Sequence, residues 1–400
     1  MKAQRIIYIS VFLATSMILG CSTIKTRNPL PQDLSAGAQV LGSDRMRMWG
    51  DRTPTYLQEW LELPPIELSS QYPALFNSEH NYLAISGGGA NGAFGAGLLL
   101  GWSERGDRPE FSIVTGVSTG ALTAPFAFLG TEYDEQLKTV YTTISTKDIL
   151  KKRSKLKMIT GDSAVNPEGL QKLLIKYINQ DLMEAIASEH LKGRLLLIGT
   201  VNLDAGRPVI WNIGKIAASN NPNALNLIRS ILLASASIPG IFPPVLMEVQ
   251  SDGVTYDEMH VDGGTASQVF IYPTGVDWSK VIERLEVQGT PSAYILRNSR
   301  LEPEWKSVEP KVRDIALRST DTLIKNQSFG DLYYIYLRNK QDGVDFNLAF
   351  IPEEFKSKSK ELFDQEYMGK LFDLGYQMGK HGYPWKKTPP GLQTMGMGLY

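Results

Sequence analysis

The sequence predicts an α/β fold of three layers, α/β/α, with a central, mostly parallel sheet. Two observations lead there. From Asn81 onward, short apolar runs alternate with longer helical patterns, the arrangement of strand–helix–strand units around a sheet. Three of those apolar runs end in glycine-containing loops, and two of those loops lead straight into a predicted helix.

The elements follow in order. Tyr82–Ser86 reads as a strand and Ala90–Trp102 as a helix whose small residues suit tight contact with a sheet. Phe111–Thr115 is a second strand and Thr119–Leu129 a second helix. Leu195–Val201, Val209–Asn212, Val254–Val261 and Tyr294–Arg297 read as further strands, and Ala224–Ala236 as a helix. The tail from Pro303 to about Gly379 is largely helical by composition, with a strand near Phe346–Phe350.

Upstream of this body the chain reads differently. Lys2 and Arg5 precede the apolar run Ile6–Leu19, which is too short to span a bilayer comfortably and fits a signal-peptide core. It ends Ile18-Leu19-Gly20-Cys21, which resembles the lipobox of bacterial lipoproteins. Cys21 is the single cysteine of the chain, so it is the only thiol available for lipid attachment. Residues 22–79 are polar and Pro-rich. TRNPLPQDLSAG reads as a tether above the membrane, and the stretch with Trp49 and Trp60 as a segment able to pack on the body. The expected division is a lipoprotein signal peptide at 1–20, a tether and N-terminal extension at 21–79, a catalytic core at 80–275, and a mostly helical part at 276–400 packed on the core. Ser22 after the cysteine, by resemblance to enterobacterial lipoproteins, implies a lipid-anchored protein of the bacterial cell envelope, on the outer membrane facing the periplasm.

Composition narrows the chemistry. The 400 residues are 42% hydrophobic and 21% charged, with a formal net charge of -1. No basic stripe with interleaved aromatics is present, so no nucleic-acid partner is expected. His80, His190, His260 and His381 lack metal-ligand spacing, and no metal is expected.

Three motifs carry chemistry. Gly87-Gly88-Gly89-Ala90-Asn91-Gly92 follows a strand and opens a helix, where backbone N–H groups and the helix start favour a phosphate or a developing oxyanion. Gly116-Val117-Ser118-Thr119-Gly120 sits between a strand and a helix, the context of a nucleophile elbow. Asp262-Gly263-Gly264 places a carboxylate at a strand end, ready for close approach to another loop. Each has another reading as well: the first also fits the G-x-G-x-x-G dinucleotide fingerprint, the second a turn with an N-capping serine, the third a plain Asp-Gly turn.

Their order and spacing resemble the patatin-like phospholipase family, with its GGGxRG loop, GxSxG elbow and DG[GA] turn. Ala234–Val245 resembles the family's proline-containing segment upstream of the aspartate. The resemblance runs from about Tyr82 to Gly264. It implies a patatin-like fold and a serine lipid acyl hydrolase without cofactor, acting on membrane lipid or another acyl ester. It makes Ser118 the nucleophile, Asp262 the base with no intervening histidine, and Gly87, Gly88 and Gly89 the oxyanion loop. Gly92, Gly116, Gly120, Gly263 and Gly264 support those motifs. Asn91 stands where the family has Arg, and asparagine lacks the bidentate guanidinium fork. The run Ile238–Leu246 reads equally as core or as lining of an acyl channel.

Three other readings compete. A Ser-Asp-His triad needs a histidine after the acid, and only His381 follows Asp262. A dinucleotide enzyme fits the glycines, but the next strand runs into GxSxG where it would carry an acidic residue. A non-catalytic membrane-anchored lipid-binding protein on the same fold is the third.

Overall fold

The computed structural model describes residues 27–152, 165–303, 305 and 307–392. Cys21 and the signal segment lie outside them. The described residues build a nine-stranded mixed sheet: β1 (Arg47–Trp49), β2 (Glu79–Ile85), β3 (Ile113–Val117), β4 (Leu195–Asn202), β5 (Arg207–Asn212), β6 (Val245–Ser251), β7 (Val254–Asp262), β8 (Gln288–Arg297) and β9 (Asp345–Phe350). The strand order is β1-β5-β4-β3-β2-β8-β9, with β7 joining β4 to β6.

The five strands β4-β3-β2-β8-β9 are all parallel, and β1, β5, β6 and β7 pair antiparallel. The central run is apolar on both faces because helices cover both faces. In β2, Leu83 and Ile85 enter one hydrophobic cluster while Tyr82 and Ala84 enter the other. The first cluster is closed by α1 (Gly92–Arg105), α2 (Thr119–Leu129), α3 (Asp134–Thr143), α4 (Glu168–Tyr177), α5 (Gln180–Leu191), α6 (Ala224–Ser235) and α9 (Gln365–Lys380). The second is closed by α7 (Trp278–Arg284) and α8 (Val312–Asp342). This is the three-layer α/β/α architecture the sequence predicts.

Two regions depart from the sequence reading. The stretch after Arg27 is laid along the body and does not hang as a tether. Arg27 is paired with Asp204 and Asp257, Leu30 N–H donates to Asp257 O, Gln39 bridges Gln250, and Ala38, Val40 and Met46 are core residues. Polar composition misleads there because the segment is fixed mainly by backbone and ion-pair contacts to β6 and β7. Any tether is confined to 21–26, outside the described residues. Second, the part after 275 supplies β8 and β9 to the same sheet, so the sheet continues across that division.

The C-terminal helix α9 lies directly on α1. Gly97 and Gly101 face the carbonyls of Phe372 and Tyr376, and Gly375 and Gly379 face those of Phe94 and Leu98. A Cβ on any of the four would collide with backbone. The glycine seam therefore brings α9 against the helix that the glycine loop opens.

Candidate active site

Ser118 ends β3 and precedes α2, with φ 56° and ψ −125°. A non-glycine residue held there stores of order 1–3 kcal/mol of backbone strain. The packing around it leaves no alternative: a Cβ on Gly120 would collide with the Ile85 carbonyl, and one on Gly116 would lie 2.7 Å from the Gly120 carbonyl carbon. Ser118 N–H donates to Ser235 Oγ (3.0 Å), which donates to Gly199 O (2.7 Å). The elbow is thus tied to α6 and β4, and Ser118 is 6% exposed.

Asp262 ends β7, beside Thr200 of β4. Its N–H donates to Ser237 O (3.0 Å), and its Oδ1 accepts from Gly264 N–H (2.8 Å). The Ser118 hydroxyl faces the carboxylate as a donor. Asp262 is 5% exposed, and burial pushes its pKa up to about 7 against the opposing pull of the Ser118 hydroxyl and Gly264 N–H. Among the described residues no cation opposes that burial.

The glycine loop closes the third side. Gly87 lies against Ser118: a Cβ there would be 3.2 Å from Ser118 Cβ. Its N–H, however, donates to Gln268 O (3.1 Å). The N–H groups of Gly88 and Gly89 meet no acceptor among the described residues, and both residues are at least partly exposed. Gly88 has φ 157°, and a Cβ on it would collide with Asn298 O. The loop is held from below by Asn298, whose Nδ2 donates to Ser86 O (3.0 Å) and whose Oδ1 accepts from Gly95 N–H (3.1 Å).

Several of these partners carry no motif. Gln268 joins the two glycine turns: its carbonyl holds Gly87, its Nε2 donates to Gly264 O (3.1 Å), and its own N–H donates to Asp331 of α8 (2.7 Å). Asn298, Asp331 and Ser235 are likewise invisible as site residues in the sequence, although Ser235 falls inside the recognised Ala234–Val245 block. Asn91 accepts from the Tyr367 hydroxyl of α9 (2.7 Å), an acceptor role that arginine, a donor only, cannot fill.

An apolar cavity of about 70 Å³ opens beside Gly89 and Thr119, lined by Leu122, Leu174, Ile178 and Met368 among others. Ile238–Leu246 does not line it; Phe242 is core and Val245 begins β6. A larger cavity of about 250 Å³ between the sheet and α8 borders Val117 and Gly263 but is not lined by Ser118 or Asp262.

The histidines lie elsewhere. His381 is exposed at the end of α9, its Nδ1 2.9 Å from Gln377 O. His260 is buried between Thr200 (2.9 Å) and Glu258 (3.1 Å). His80 contacts Tyr82 and Leu75 O, and His190 contacts Arg194 O. None reaches Ser118, which removes the triad. Among the described residues no three His, Cys, Asp or Glu side chains cluster as metal ligands.

Residues 83–274 match the family model described as patatin-like phospholipase. The chain carries a patatin-like phospholipase domain. The match spans elbow, glycine loop and Asp262, and the family acts on lipid acyl esters. Of solved structures, VipD from Legionella pneumophila resembles this chain at 12% identity and a TM-score of 0.37, over 76% of this chain; the chain spans 66% of the length of VipD. No curated protein matches the chain. Within this patatin-like domain the three motifs meet: Gly87 lies against Ser118, and Gly263 packs beside Val117 of the elbow.

Proposed function

We propose that the protein is a serine hydrolase of lipid acyl esters, of phospholipase A or lysophospholipase type, working through a Ser118–Asp262 dyad. The observation that carries this reading is the buried Asp262 carboxylate, raised to about 7 and facing the Ser118 hydroxyl with no histidine between them. A base poised near neutral pH matches the task of general-base catalysis.

In this mechanism the Ser118 Oγ forms a bond to the ester carbonyl carbon while its proton passes to Asp262. The carbonyl π electrons move to oxygen, and the Gly88 and Gly89 N–H groups receive the oxyanion. Collapse breaks the bond to the alcohol, which leaves with the proton from Asp262. Water then attacks the acyl-enzyme with the same proton route, releasing the fatty acid and restoring Ser118. The cavity beside Gly89 is far smaller than the roughly 300–1,000 Å³ of a typical ligand pocket, so it receives the first carbons of an acyl chain and longer chains must displace its apolar side chains.

The test is hydrolysis of a panel of phospholipids, lysophospholipids and neutral acyl esters by wild type and Ser118→Ala. Turnover confined to wild type supports the reading; equal turnover by a folded Ser118→Ala protein overturns it. Anchoring through Cys21 in the outer membrane belongs to the same proposal. It predicts that Cys21→Ala releases the protein from the membrane fraction or blocks its processing.

A further inference from the structure

Three features rise from one edge of the sheet. The first is the site: Ser118 and the glycine loop follow the carboxyl ends of β3 and β2. The second is α8, which runs antiparallel to β8. Its Ser328 contacts Arg297 at the end of β8, its Gln327 donates to Ala266 O, and its Asp331 accepts from Gln268 N–H. Residues 327–331 are therefore level with the site. The helix begins at Val312, so it projects past the edge by about 22 Å at 1.5 Å per residue. On that projection Val312, Ile315 and Leu323 are 86%, 50% and 71% exposed, and at 100° per residue they share one stripe roughly 80° wide. Trp305, just upstream, is 99% exposed. No helix among the described residues is long and apolar enough to cross a membrane, so this stripe is not part of a span.

The third feature is where the described chain starts. Arg27 grips Asp204 (2.6 Å) and Asp257 (2.7 Å). Asp204 lies in the turn that follows the carboxyl end of β4, and its Oδ2 accepts from Met259 N–H (2.9 Å). Cys21 is six residues from that clamp, and six residues reach about 20 Å at full extension. A lipid on Cys21 would therefore hold the turn after β4 within about that reach of the bilayer.

Building on the hydrolase reading, we propose that the carboxyl edge docks on a phospholipid surface, with Trp305 and the Val312–Ile315–Leu323 stripe entering the headgroup boundary. Tryptophan and an apolar helix stripe are the groups that lie in that boundary. A second copy of the chain would cover the same stripe, but it would leave the short lead from Arg27 and the site edge without a common purpose.

The test uses the full chain, with Cys21 in place, on vesicles of phosphatidylethanolamine and phosphatidylglycerol carrying brominated acyl chains. Bromine should quench wild-type tryptophan emission more than that of Trp305→Phe. A W305S/V312S/I315S/L323S variant should hydrolyse vesicle lipid at least tenfold more slowly and a soluble short-chain ester within twofold of wild type. Equal quenching in wild type and Trp305→Phe, or wild-type vesicle hydrolysis by the fourfold variant, overturns the docking surface. Loss of a dimer with vesicle quenching unchanged assigns the stripe to a second copy and also overturns it. If wild type hydrolyses neither substrate, the hydrolase reading fails while the quenching arm still decides the docking.

Discussion

Glu258 and Asp262 lie four residues apart on the same strand, point to the same side, and are both buried, yet their charges are managed in opposite ways. Burial alone would raise both. At Glu258 the hydrogen bonds from Arg47 and His260 overrule it and hold the pKa at about 2. At Asp262 no cation intervenes among the described residues, and burial pushes the pKa up to about 7. One carboxylate is spent on joining β1 to β7; the other is left able to exchange a proton. The pair shows what separates a structural acid from a catalytic one within a single strand: the presence of a partner cation, not the degree of burial.

The largest test of that contrast removes the chemistry itself. Ser118→Ala should lower turnover by about 10⁴-fold or more with the fold intact, as for other nucleophile–base systems. Asp262→Asn should lose about 10³–10⁴-fold, because the amide cannot accept the proton. In wild type, kcat/KM should fall about tenfold per pH unit below about 7, since the base is active only when ionised. A profile flat down to pH 5 would remove Asp262 from that role.

Glu258→Gln tests the other acid. It leaves the Arg47 guanidinium buried without its partner, and unfolding should become easier by roughly 3–5 kcal/mol, read from denaturant midpoints. Turnover by the molecules that remain folded should stay within a few fold of wild type.

The next effect is smaller and has the opposite sign. Because the folded pKa of Asp262 lies above its ordinary value, its stabilising contribution is complete below about pH 4 and lost as pH rises through about 7. Asp262→Asn, neutral at every pH, should therefore be more stable than wild type at neutral pH, with a gain that grows from about pH 4 to about pH 7 and is level above it. The interval between 3.8 and about 7 bounds that gain at ~4 kcal/mol. A Tm difference that does not change with pH would contradict the buried, unpaired carboxylate. Smallest of all, His381→Ala should leave activity and Tm within error, because among the described residues its ring is hydrogen-bonded only to the Gln377 carbonyl, at the exposed end of α9.

What the sequence made legible follows from which interactions are local. The elbow, the glycine loop and the Asp262 turn each need a particular residue at a particular backbone angle, so they mark themselves; Thr119–Leu129 is read to the residue. The groups that hold those turns in register are long-range. Gln268 to Gly87, Asn298 to Ser86 and Asp331 to Gln268 each join distant stretches through an ordinary polar residue. Nothing about an isolated asparagine or glutamine announces that role. β6 alternates as a half-buried strand does, but it was hidden because Val245 and Leu246 at its start fell inside a proline-containing run read as one apolar block. The docked segment after Arg27 was hidden because ion pairs and backbone bonds, unlike a hydrophobic stripe, leave no periodic trace.

The most direct test of a histidine-free dyad is the pH dependence of Ser118 labelling by a fluorophosphonate, with the adduct mapped by mass spectrometry. The dyad requires the adduct on Ser118, formed at a rate governed by one group titrating near 7, and that titration must vanish in Asp262→Asn. An adduct on another residue, or an unchanged pH profile in Asp262→Asn, would show that Asp262 is not the base.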